Sequence, residues 1–135
     1  MSDHPIVLEI VPQKDVYDCG IACLAMLCGV SWGDVRKQIR FKAPTGLSIY
    51  EMKAIAKRLG LPLSQAKNVH TEDIGIMHMH RPADPNKHDG NWDGHYVVYM
   101  KGILYNPAQG QLWTDPYAYV TTGRWEVVGI LKRKD

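Results

Sequence analysis

Between Ile21 and Val30 the chain is apolar almost without interruption, and over Ile21 to Leu27 it is apolar on every face of a helix. A surface helix carries one apolar stripe; one apolar all round is expected to be buried all round. The stretch is too short to cross a bilayer, which takes about 20 residues. It therefore reads as a core helix that Gly29 can end. A chain of 135 residues is long enough to bury a core of this kind within one domain.

Other segments divide by period. A second helix is expected from Ser31 toward Phe41. A third has Ser48 as its cap and Glu51 completing a capping box, with Ile49, Met52, Ile55, Ala56 and Leu59 in one stripe before Gly60 and Pro62 end it. Ile6 to Val11 is β-branched and stopped by Pro12, which predicts a short strand. Later, His95 to Met100 and Ile103 to Asn106 read as strands joined by a tight Lys101-Gly102 turn, and Glu126 to Leu131 reads as another. Arg81 to Gly94, dense in Pro, Asp, Asn and Gly, is expected to be a loop. The chain shows no internal repeat. Helices first and antiparallel strands second predict an α+β fold, a helix bundle on a small twisted sheet, as one domain over residues 1–135.

Composition narrows the partners. Hydrophobic residues are 45% and charged residues 22%, ordinary for a soluble protein, and a net charge of +2 is too small to argue for nucleic acid. The Lys132-Arg133-Lys134 tail reads as a solvated terminus. Met1 to Pro5 lacks the basic start and apolar run of a signal peptide, so no membrane insertion or export is expected. Three cysteines, all between positions 19 and 28, suit free thiols in a reducing cytoplasm.

Cys19 stands where a loop becomes the buried helix. Unpaired amides and the positive end of the helix dipole stabilise a thiolate there, and Gly20 would let a substrate carbonyl approach the sulfur. Cys23 and Cys28 follow on the same helix and read as core residues, since one continuous helix disperses the sulfurs and no paired CxxC is present. His95 opens a strand on which it shares a face with Val97 and Tyr99. The hairpin turn brings Asn106 near His95, where an amide oxygen can accept from the imidazole and fix its tautomer. His78, His80 and His88 are expected on the surface or in loops rather than around a metal, and neither a metal nor a cofactor is expected. Trp92, beside His95, is a candidate to line a substrate cleft.

These residues carry a resemblance. Gln13, then Cys19-Gly20 followed by Ala22-Cys23-Leu24-Ala25-Met26, resembles the start of the bacteriocin-processing, double-glycine peptidase domain. That papain-like domain is best known as the N-terminal part of peptide-exporting ABC transporters. Gly46-Leu47-Ser48, Leu59-Gly60-Leu61, His95-Tyr96-Val97-Val98, Tyr105-Asn106-Pro107 with Gly110, and Trp125 continue it in order, over about Gln13 to Leu131. The resemblance implies a papain-like fold with Cys19 as nucleophile and His95 as base, then acid. It also implies Gln13, with the Cys19 N–H, as oxyanion donor, and Asn106 as the residue orienting the base. Asn106 stands where the family usually has Asp; papain itself uses Asn in that role. No membrane spans and no P-loop follow, so an exporter is not expected.

Three functions are open at this stage. One is a thiol peptidase on an extended peptide with small residues, such as Gly-Gly, before the scissile bond. Another is an isopeptidase, deamidase or acyltransferase sharing the acyl-enzyme step. The last is a silent module that keeps the cleft only to hold a peptide. If Asn106 is not the third member, Asp115 is the next candidate.

Overall fold

The computed structural model describes residues 19–39, 47–70, 72–82, 92–108 and 110–133. The strand expected over residues 6–11, Gln13 and His88 lie outside the described residues. The helical part comprises α1 (Cys19–Cys28), α2 (Trp32–Arg36) and α3 (Ile49–Arg58). Then come β1 (Leu63–Ala66), β2 (Ile74–Pro82), β3 (Trp92–Met100), β4 (Ile103–Asn106), β5 (Gln111–Trp113), α4 (Pro116–Thr122) and β6 (Glu126–Arg133).

Helix α1 is enclosed as its composition demands, with every residue from Cys19 to Leu27 buried. Ten residues make a marginal helix in water, so burial rather than propensity holds it. Each fully buried Ile, Leu or Met contributes about 1.5–3 kcal/mol. Helix α3 begins as expected, with reciprocal bonds between Ser48 and Glu51. Helix α2 is shorter than its predicted run toward Phe41. It is capped by a Ser31–Asp34 box, and its C-cap is Lys37.

The six strands form one antiparallel sheet in the order β1-β6-β2-β3-β4-β5. Helices α1–α3 pack on one face, against Ile74, Ile76, Tyr96, Val98 and Met100. The other face carries Met77, Met79, Val97, Tyr99 and Leu104, covered by Tyr119 and Val120 of α4. The β3–β4 hairpin turns at Lys101 and Gly102, both with positive φ (49° and 84°), the pairing that suits a two-residue turn to strand twist.

The expected boundary between halves needs correction. The predicted loop over residues 81–94 gives up both ends to strands, since β2 continues to Pro82 and β3 already starts at Trp92. Cross-strand pairing there overrides the turn-rich composition. Trp92 therefore begins a strand; its side chain is outside the described residues. A fourth helix interrupts the β-rich half. Its signal was Asp115 followed by Pro116, an N-cap residue with proline at the first helical position.

His78 and His80 lie on one face of β2 and are half-buried. The His78 ring stacks on Tyr96, with centroids 4.3 Å apart and planes at 15°, and meets His80 edge-on at 4.6 Å. Burial first, then the neighbouring His80, push the His78 imidazole down from its ordinary 6.5 to about 4. Between those two values the unfolded chain binds a proton that the folded chain refuses, so stability falls with pH across that window. The thermal midpoint should thus hold down to about pH 6.5 and decline toward about pH 4, and His78→Phe, which keeps a ring on Tyr96, should flatten that decline. An unchanged slope in the variant would assign the acid sensitivity elsewhere.

Candidate active site

Among the described residues two buried polar side chains stand out, His95 and Asn106, 7% and 6% exposed. They are bonded to one another. His95 Nε2 lies 2.8 Å from Asn106 Oδ1. In the hairpin register Tyr105 pairs with Val98, which puts Asn106 level with Val97, so its side chain reaches diagonally along the same face to His95.

The same Asn106 oxygen accepts the backbone N–H of Ala108 at 3.1 Å. A backbone amide can only donate, so the amide group is oriented with its oxygen toward both partners. His95 Nε2 must then be the donor. The neutral imidazole consequently keeps its lone pair on Nδ1, the tautomer a general base needs if its other nitrogen is to take a proton from a thiol.

Cys19 opens α1 and is 6% exposed. α1 packs against β3, and Cys19 shares a core cluster with Tyr96, the residue after His95. Negative charge on Cys19 adds to the burial that pushes the Tyr96 phenol up. It also contributes at Tyr119, whose phenol burial pushes up to about 12.

Two residues to which the sequence analysis gave no role also lie at His95. The indole of Trp125 stacks on the imidazole, with centroids 5.5 Å apart and planes at 23°. On the indole lies the guanidinium of Arg81, 4.0 Å from its centroid and bonded to the Gly123 carbonyl at 2.9 Å. A ring over the imidazole keeps water from the His95–Asn106 bond, and a drier bond is a stronger one. Trp125 could be found in the sequence only as an aromatic before the last strand; Arg81 gave no signal.

One sequence expectation is corrected. Gly20 does not open a path for substrate: its bare side faces the interior, where a Cβ would lie 2.9 Å from Met52 Sδ and 3.5 Å from Leu47 Cδ1. Its smallness serves close packing of α3 on α1. Asp115, the reserve candidate for the third member, accepts from Ala118 N as the exposed cap of α4. Gln13 lies outside the described residues. No group of three or more metal-ligating side chains occurs among the described residues.

Residues 8–115 match the Peptidase C39 family, and the chain belongs to it. It is 26% identical over 115 residues to an Escherichia coli protein described as a microcin-H47 secretion/processing ATP-binding protein, covering 77% of this chain and 15% of that one. It is also 26% identical over 140 residues to a Mycoplasma genitalium protein described as an ABC transporter ATP-binding protein, covering 93% and 21%. The chain thus spans about a fifth or less of the length of these relatives. No helix among the described residues is long and apolar enough to cross a membrane.

Two of the three thiols are held in the protonated form. Burial, then charge on Cys19, push the Cys23 thiol well up, and burial alone pushes Cys28 to about 11. Both remain protonated at neutral pH, and only thiolates alkylate. Iodoacetamide followed by peptide mapping should label Cys19 first, and should still label it near pH 6. Equal labelling of all three would remove the basis for a special thiol at position 19.

Proposed function

We propose that this chain is a cysteine peptidase in which Cys19 is the nucleophile, His95 the general base and Asn106 the residue that orients it. The observation that carries the reading is the buried His95–Asn106 bond, with the amide held by Ala108 so that the imidazole keeps its lone pair on Nδ1. Membership of a peptidase family and a cysteine at the tip of a buried helix support it.

In this mechanism the Cys19 thiolate attacks the scissile carbonyl, forming a C–S bond while the carbonyl π electrons move to oxygen. The oxyanion is held by the Cys19 N–H and by Gln13, a role carried from the family resemblance. His95 Nδ1–H then protonates the leaving amine as the C–N bond breaks, giving a thioester. Water adds to the thioester with its proton passing to His95, and the acid leaves with Cys19 restored. Asn106, neutral, keeps the ring oriented in both proton states without adding a negative charge.

The substrate we infer is an extended peptide with small residues such as Gly-Gly before the cleaved bond, as in a leader sequence. A relative described by secretion and processing favours that class. Three free cysteines suit a reducing, cytoplasmic setting. The partner is a peptide or protein, not nucleic acid.

The test is a variant series assayed on leader-type peptides containing Gly-Gly. Cys19→Ala and His95→Ala should abolish cleavage. Asn106→Ala should leave a reduced but measurable rate, because nucleophile and base remain. Gln13→Ala should lower turnover by about two to three orders of magnitude, the scale of one lost oxyanion donor, while Cys19 alkylation survives. Alkylation of Cys19 with no cleavage in the parent chain would favour a silent peptide-binding module; full activity of Asn106→Ala would unseat the third member.

A further inference from the structure

The two reacting groups of the proposed site come from different layers, Cys19 from α1 and His95 from β3, and a displacement of about 1 Å between such groups can cost about a hundredfold in rate. Something has to hold the layers at a fixed spacing. Tyr96 follows His95 on β3 and, by strand alternation, points to the helical face while His95 points to the other. Its hydroxyl donates to the Leu47 carbonyl at 2.7 Å, in a buried setting. The Leu47 side chain in turn packs at Gly20, 3.5 Å from the point a Cβ would occupy, and Gly20 adjoins Cys19.

We propose that Tyr96 is a positioning residue for the Cys19–His95 pair, its hydroxyl clasping the helical half to the sheet through Leu47 and Gly20. The inference rests on the catalytic reading above and adds how the separation of that pair is set. Both ends of the clasp are held. Leu47 precedes Ser48, the cap of α3, and Met52 of the same helix also packs on Gly20. The phenol ring is held flat by His78. Burial, with the charge on Cys19, keeps the phenol protonated, so it always donates.

The competing explanation is that any buried tyrosine hydroxyl finds an acceptor merely to avoid being left unpaired. Tyr99 provides the comparison. It lies on the same strand with its ring on the opposite face, and its hydroxyl donates to the Leu131 carbonyl at 3.4 Å, with no connection to Leu47 or Gly20. Tyr96→Phe and Tyr99→Phe remove the same atom from similar settings.

The experiment measures the rate of Cys19 alkylation by iodoacetamide from about pH 6 to about pH 8, with thermal midpoints, in the full chain, its two Tyr→Phe variants and His95→Ala. Of the groups around the pair, Cys23, Tyr96 and Tyr119 are pushed above that window and His78 below it, and Arg81 is present in every variant. His80, the other imidazole of β2, is common to all variants and cancels in the comparison. Tyr96→Phe should slow alkylation at pH 6 about tenfold or more and restore the steep pH dependence of an ordinary thiol. Tyr99→Phe should stay within about twofold of the parent. If Tyr96→Phe matches the parent, or both variants lose reactivity in proportion to their thermal midpoints, the clasp is wrong while the catalytic reading stands. If the parent's Cys19 is no more reactive than in His95→Ala, the catalytic reading fails and the clasp falls with it.

Discussion

Enclosure of α1 is the constraint from which the other features follow. Nine of its ten residues are buried, so surfaces must close around it from several directions at once. Helices α2 and α3 supply one side and β3 another. The contact is close enough that a Cβ on Gly20 would come within 2.9 Å of Met52 Sδ. A helix gripped in this way cannot slide or rotate without opening the core, because protein interiors are close-packed. Its first residue, Cys19, inherits that fixity.

Among the described residues, His95 and Asn106 are the buried polar residues, and they lie together. Burying an imidazole and an amide costs free energy unless each finds a partner, and here each finds the other, with Ala108 taking the remaining acceptor capacity of the Asn106 oxygen. The stack of Arg81, Trp125 and His95 closes that pair from the other side. Arg81 comes from β2, Trp125 from the segment between α4 and β6, and His95 and Asn106 from the hairpin. The sheet thus gathers distant parts of the chain around one imidazole.

What was legible in the sequence was local. The apolar run of α1, the capping box of α3 and the Lys101-Gly102 turn each act over a few residues, and each appears where it was expected. The hairpin also carried half of the site, since a two-residue turn with fixed register is enough to bring Asn106 to His95. Strand β1 was missed because it is four mixed residues whose strand state depends on pairing with β6 at the far end of the chain. Helix α4 was missed although Asp115 and Pro116 announced it.

By itself, then, the sequence determined the class of fold, the membership suggested by its ordered motifs, and the pairing of a histidine with an asparagine. These rest on period, turn chemistry and residue type, which act at short range. Tertiary structure alone decided that Gly20 faces the interior rather than a substrate, that Trp125 and Arg81 cover His95, and that Tyr96 reaches Leu47 across the boundary between helices and sheet. Each of those depends on which surfaces meet when α1 is enclosed, and short-range patterns carry no record of the neighbour that a folded chain supplies from far along its length.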